Sequence, residues 1–388
     1  MNKIFLLSFK VVCCFSACSN HSEKYQDRKV EVQTVKDISF QSNGDLFLVP
    51  DYSFPAHLVY QNSDSILFFN IFASGLSSIF YRDSIFNSGV TLPLIQIKNQ
   101  LLDRPNFFFK RKGGFVFIQN NLLLMFNDSL EFENALDIRK YYPISKFDLS
   151  YFKTNNNFDI GLYFSSYDAL NDVFYFFSKD ILNSEIGLFK YDFTADTLTN
   201  VKDFYDKEWV KNQEIVHKND LVFIIDNLPF LLVKDDFLIS TYYSNSKIDV
   251  LNTKTQDFFS KNIKSSFLPE KKSFPPKIPN DVNSLDALDF TLDWEKEVAY
   301  GEIKYWKNCD CFFRTVKGPS EEQIKNYDVF IQFFDKNFEL IQELNLSKFN
   351  SNIGMFSLPL SSVLLFKSKI QNSEDNYSFI EVTFNFDK

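Results

Sequence analysis

Few residues in this chain have the type and spacing for chemistry. Only three histidines occur, His21, His57 and His217. A general-base histidine needs a group to orient it and a nucleophile to serve. His21 sits in a polar run near the N-terminus, His57 follows Pro55 and Ala56 at a strand start, and His217 opens a later unit. None has an orienting partner in sequence, so each reads as a structural or surface histidine. Asp226, Asp249 and Asp286 could line a pore and offer oxygens to calcium. No D-x-D-x-D-G loop supports that, and they read as strand-end turns, as Asp235-Asp236 reads as a hairpin turn. Arg314 follows Phe312 and Phe313, with Tyr300, Tyr305 and Trp306 near in sequence. An arginine among aromatic rings can stack on them or clamp a ligand carboxylate. These four form a candidate ligand contact, set against a plainer reading in which Arg314 packs inside the fold and pairs with an acid.

Of five cysteines, Cys13 and Cys14 fall in an N-terminal leader and Cys18 closes it, which leaves Cys309 and Cys311. At i and i+2 on a strand, Cα atoms stand roughly 6.5–7 Å apart, the upper limit for a disulfide. A strained or absent bond is therefore expected. No histidine lies near the pair to complete a zinc site. The chain has no G-x-S-x-G, G-x-x-x-x-G-K-[ST], G-x-G-x-x-G or H-E-x-x-H. We assign no catalytic, cofactor-binding or metal residue.

The leader reads MNKIFLLSFKVVCCFSAC: Lys3, an apolar stretch from Ile4 to Phe15 interrupted by Lys10, then Ser16, Ala17 and Cys18. That is the order of a secretory signal peptide, and its apolar part is too short to span a membrane. Phe15-Ser16-Ala17-Cys18 resembles a bacterial lipobox, which makes Cys18 the lipidated residue of the mature chain. The expected division is a signal peptide over 1–17, a flexible tether over 18–38 and one folded domain over 39–388. Removing Lys3 and Lys10 from 41 basic residues leaves 39 against 50 acidic, a mature charge of −11. That acidic balance argues against a nucleic-acid partner. The basic cluster Lys110-Arg111-Lys112 reads as a solvated loop.

The elements that would hold any site are strands. Phenylalanine reaches 48 residues while glycine is only 10, and aromatic residues favour sheets. Apolar runs ending in Asp or Asn recur with ends at 83, 127, 192, 252, 335 and 385. The 302 residues between first and last give about 60 per unit, a supersecondary repeat of the propeller kind. The polar residue after each run begins a tight turn. The expectation is an all-β propeller of six blades, with five or seven left open. Proline-rich residues 261–287 read as a long connection between blades, and residues 199–216 as one short helix.

The fifth unit carries a resemblance. Tyr300-Gly301-Glu302-Ile303-Lys304-Tyr305, then Cys311-Phe312-Phe313-Arg314, then the run Val329 to Glu339 is similar to a stretch in uncharacterised Bacteroidetes lipoproteins. These form a domain-of-unknown-function family with a TolB-like six-bladed propeller. Trp306 stands where family members often have Asp. The resemblance implies fold and envelope location and brings no functional residue with it. The functional expectation is a non-catalytic envelope lipoprotein that binds a protein, peptide or glycan on a propeller rim. The alternative is a propeller hydrolase or lyase acting in the central channel on an extracellular polymer or small ester. The lipid would place it at the outer membrane by preference, on either face.

Overall fold

The computed structural model describes residues 29–41, 57–62, 65–70, 75–80, 85–91, 95–97, 100–102, 107–119, 122–141, 165–180, 185–201, 204–207, 229–274, 276, 292–320, 326–370 and 376–386. Strand β1 (Val30–Gln41) comes first. The first sheet follows with β2 (His57–Asn62), β3 (Ser65–Asn70), β4 (Gly75–Phe80) and β5 (Ile85–Thr91). A hairpin of β6 (Ile95–Ile97) and β7 (Gln100–Leu102) leads to the second sheet. That sheet holds β8 (Phe107–Arg111), β9 (Gly114–Gln119), β10 (Leu122–Asn127) and β11 (Phe132–Asp137). The third has β12 (Ser165–Asp168), β13 (Val173–Asp180), β14 (Glu185–Asp192) and β15 (Thr197–Asn200). The fourth has β16 (Phe230–Lys234), β17 (Phe237–Tyr242), β18 (Asn245–Asn252) and β19 (Phe258–Asn262).

In the fifth sheet the first strand is broken into β20 (Ala299–Tyr300) and β21 (Lys304–Trp306), both paired with β22 (Cys311–Lys317). The break falls at Gly301, where a Cβ would sit 2.8 Å from Thr315 Oγ1. β23 (Val329–Phe334) and β24 (Leu340–Asn345) complete it. The sixth takes β25 (Ile353–Pro359), β26 (Leu364–Ser368) and β27 (Asn376–Phe386) from the C-terminal part and β1 as its fourth strand. All these pairings are antiparallel meanders; β1 alone pairs across the length of the chain.

β1 corrects the expected domain boundary. Residues 30–38 belong to a strand, not a tether. The sequence hides it because a bulge between Val32 and Thr34 breaks the two-residue alternation.

The apolar runs found in sequence are the third strand of each sheet, β4, β10, β14, β18, β23 and β27. Their polar ends act as expected wherever a hairpin follows within the described residues. Asn127, Asp192, Asn252 and Asp335 each accept two backbone N–H bonds through Oδ1 from the next few residues. Position 83 lies outside the described residues.

Successive sheets pack face to face. The second and third meet through Phe109, Ile118, Phe174 and Phe176. The fourth and fifth meet through Ile239, Ile248, Val250, Phe312 and Phe334. Burying one such side chain contributes about 1.5–3 kcal/mol, so these interfaces, not the turns, supply most of the stabilisation. First strands lie side by side, β2 with β8 and β12 with β16.

A meander gives each sheet two ends. Connections from first to second and from third to fourth strand share one, here termed the turn end. The second-to-third connection and the exit to the next sheet share the other, the loop end. Residues 317–320 and 326–328 lie at the loop end. Of the helix expected over 199–216, residues 199 and 200 end β15 instead, and 202–203 and 208–216 lie outside the described residues.

Candidate functional site

The loop end of the fourth, fifth and sixth sheets gathers charge inside the protein. Residues 269–273 cross it as a strap. Lys272 N donates to Ser244 O at 2.7 Å, and Ser246 N donates to Glu270 O at 2.8 Å. Tyr300 Oη donates to Pro269 O. Trp294 Nε1 donates to Ser273 O at 3.0 Å. These bonds align Lys272 so that its side chain points inward.

The Lys272 ammonium lies 3.6 Å from the centroid of the Trp294 ring and 4.7 Å from that of Tyr243. Its side chain has no exposed surface. Glu295 Oε2 stands 3.8 Å away, an ion pair too long for a hydrogen bond. That oxygen accepts Tyr243 Oη at 2.8 Å. Among the described residues, Lys272 Nζ and Glu295 Oε1 are buried without a hydrogen-bond partner. Burial pushes the lysine down to about 8, opposed by the Glu295 charge, and pushes the Tyr243 phenol well up.

Two more lysines frame this pair. Lys317 Nζ donates to Glu295 O. Lys369 Nζ donates to Tyr327 O and, at 3.0 Å, to Ser351 O. Burial lowers both below the usual lysine range. Side chains or carbonyls from three sheets and their connections thus converge on one end.

A desolvated lysine can serve as base or Schiff-base amine. Here its ammonium is covered by two rings and a carboxylate, so the cluster as it stands ties loops together. Among the described residues no group of three or more His, Cys, Asp or Glu could hold a metal ion.

Of the four contact residues nominated from sequence, the structure brings only Arg314 and Tyr300 together. They meet between the fourth and fifth sheets, both fully buried. The guanidinium lies 4.6 Å from the Tyr300 ring centroid. Its Nε donates to Gln332 Oε1 at 2.8 Å and its Nη2 to Ser246 O at 3.1 Å. Gln332 in turn donates to Glu343 Oε1 at 2.6 Å. Burial lowers Arg314 to about 10 and raises Tyr300 to about 12. This is the plainer reading, with the acid reached through Gln332.

Trp306 is buried on the opposite face of the fifth sheet, where Nε1 donates to Leu360 O at 2.6 Å. Tyr305 is half-buried at the turn end and donates to Asp310 Oδ1 at 2.5 Å. Alternation along β21 and β22 sets this split.

Cys309 and Cys311 are joined by a disulfide, which corrects the expectation of a strained or absent bond. Cys309 lies in the turn before β22, and Asp310 between them takes φ 51°. The chain folds there, so the Cα atoms come to 5.1 Å. The expectation had assumed an extended chain.

Asp249 is wholly buried and accepts Tyr242 Oη and Ser260 Oγ, so it is a structural acid. Lys110 pairs with Asp128, and Arg111 forms a two-point pair with Asp172 at 2.8 and 2.7 Å, so two of the three cations in the basic cluster are neutralised locally, while Lys112 is exposed. Cys18, His21, Asp226, His217 and Asp286 lie outside the described residues.

The model of the family described as domain of unknown function DUF4221 matches residues 94–345. The chain belongs to the DUF4221 family. A crystal structure of a DUF4221 member from Bacteroides vulgatus shares the fold, with TM-score 0.62, 11% identity, and coverage of 94% of this chain and 100% of that one. A Bacteroides fragilis protein named as exported has TM-score 0.44 at 12% identity, covering 90% of this chain and 95% of that one. The WD40 domain of Neurospora crassa Pan2 has TM-score 0.42 at 8% identity, covering 89% and 94%. No curated protein matches the sequence. The Tyr300–Glu339 stretch that carried the resemblance lies inside the matched region.

Sequence reasoning missed Lys272, Trp294, Glu295 and Lys317. A signal was present. Pro269-Glu270-Lys271-Lys272 puts a proline-held lysine in the stretch read as a connection between blades, and Asp293-Trp294-Glu295 sets a large ring between two acids just beyond it.

Proposed function

We propose that this DUF4221 protein is a non-catalytic lipoprotein of the cell envelope, a six-bladed TolB-like propeller that binds a partner protein through its loop end. Supporting the blade count are six meander sheets, with β1 supplying the outer strand of the last and so joining the two ends of the fold. The envelope location is supported by the Cys309–Cys311 disulfide, since disulfides persist in oxidising compartments. No helix among the described residues is long and apolar enough to cross a membrane, and the anchor proposed is the lipid on Cys18.

One observation carries the binding surface. Of nine exposed large apolar residues among those described, five stand at the loop end. They are Phe267, Phe274, Leu292, Phe349 and Ile370, between 39% and 63% exposed. Three others lie on outer strands and one at the turn end. Exposed apolar side chains gathered beside a braced framework suit a protein partner.

The test is photo-crosslinking in the native envelope from position 274, with position 254 at the turn end as control. We expect one discrete protein adduct from 274, lost when Phe267→Ser and Leu292→Ser are combined, and none from 254. Adducts of equal yield from both positions, or binding of a glycan with no protein adduct, would overturn the assignment.

A further inference from the structure

β1 shows where the chain enters the fold. Val30 stands opposite Phe386, and Gln41 stands opposite Asn376. Asn376 follows the connection from β26 to β27, which is a second-to-third connection and lies at the loop end. Val30 is therefore at the turn end. The chain that would carry the lipid on Cys18 joins the fold at that side.

The length of that leader is short against the domain. From Cys18 to Lys29 is 29 − 18 = 11 residues. Fully extended, that reaches at most about 40 Å; as a flexible chain its ends average roughly 18 Å apart. β1 alone, at 12 residues, rises about 40 Å. A tether starting at the turn end would spend its whole reach in climbing to the loop end, with nothing left to insert a lipid.

We propose that the turn end faces the lipid surface and that the loop end, with its Lys272 cluster and exposed apolar residues, is held away from the membrane. This rests on the reading of Cys18 as the lipidated residue. The turn end is held by the tether, not by charge. Four of its cations are paired with acids: Lys110 with Asp128, Arg111 with Asp172, Lys254 with Asp236, Lys336 with Asp310; only Lys112 and Lys307, among the described residues there, are exposed without an acid partner. Two scattered lysines are too few for a basic membrane patch, so association resting on the lipid needs no anionic lipid and survives high salt.

The experiment uses full-length lipidated protein in phosphatidylcholine vesicles carrying a headgroup acceptor dye. A donor dye is placed through Lys254→Cys at the turn end or Ile370→Cys at the loop end. Both sites are exposed, and the native cysteines of the fold are bonded to each other. We expect several-fold greater energy transfer from position 254, unchanged by 1 M salt, and a smaller difference once about 30 Gly/Ser residues are inserted before Lys29. Equal transfer from both positions, or greater transfer from 370, overturns the orientation while leaving the anchor intact. Wild-type protein that washes off the vesicles as readily as Cys18→Ala overturns the anchor, and the orientation with it.

Discussion

The two ends of the sheets solve the same problem by opposite means. At the turn end of the second to fifth sheets, eight short turns each contain one residue with positive φ, and among the described residues no other position adopts it. Asp172, Asp196, Asp235 and Asp310 fill four of these sites, as expected for a side chain that tolerates left-handed backbone. The bonds there are local. Neighbouring turns are clipped together by pairs that are partly exposed, such as Arg111–Asp172. At the loop end the chain takes long, proline-marked paths, and its order comes from buried charge and rings contributed by three sheets. Local devices tolerate change one at a time; a shared buried cluster does not.

The largest effect is expected where that cluster is broken on one side. Lys272→Ala removes the cation facing Glu295 inside the protein, and an unpaired buried charge costs about 3–5 kcal/mol. Lys272→Met combined with Glu295→Gln should recover most of that loss in denaturant titration. Independent, additive losses would mean that the two do not act as a pair.

Gly114 is the turn end's most sensitive point. A Cβ there would meet Phe126 O at 1.8 Å, so Gly114→Ala must push β9 from β10 and should lower stability by about 3 kcal/mol. Thermal unfolding checks it, and a near-neutral result would show that β9 and β10 part freely at this end.

Opening the disulfide with Cys309→Ser and Cys311→Ser removes only a very short loop constraint, about 1–2 kcal/mol by chain entropy. The same loss should follow treatment with a reductant. Removing one turn acceptor, as in Asn252→Ala, frees two backbone N–H groups at an exposed turn and should cost about 1 kcal/mol. Combined with Asn127→Ala in another sheet, the losses should add.

The smallest expected effect is a pH dependence. Lys272 is held down to about 8 in the fold against 10.5 for the free side chain. Above pH 8 the unfolded chain then binds more protons than the folded one, so stability rises with pH by on the order of 1 kcal/mol up to about 9.5. Beyond that, tyrosines raised by burial, such as Tyr243, act in the opposite sense. The rise should shrink in Lys272→Met, leaving the smaller part due to Lys317 and Lys369, which burial also lowers.

What the sequence disclosed follows the same division. The turn end was legible because its signals are local: an apolar strand, then an Asp or Asn that accepts from the next turn. Asp235-Asp236 was read correctly on that basis. β1 was not legible, since its partner lies more than three hundred residues away and a bulge masks its alternation. The disulfide was missed because a turn, not a strand, sets the geometry at Cys309. Arg314 was visible as unusual, yet only the face it occupies separates a ligand contact from a buried brace. The Lys272 cluster draws on residues 243, 272, 295, 317 and 369, and no spacing rule links them.

The contrast is tested most directly by double-mutant cycles across the boundary of the fourth and fifth sheets, one at each end. At the loop end the pair is Tyr243 and Glu295, read with Tyr243→Phe and Glu295→Gln. At the turn end it is Lys234, whose ammonium lies 4.5 Å from the Tyr305 ring centroid, read with Lys234→Met and Tyr305→Leu. A buried bond to a charged group predicts a coupling of about 1.5–3 kcal/mol at the loop end, and a partly exposed cation on a ring about 0.5–1 at the turn end. Equal couplings, or a stronger one at the turn end, would contradict the division of the molecule into a locally built face and a shared one.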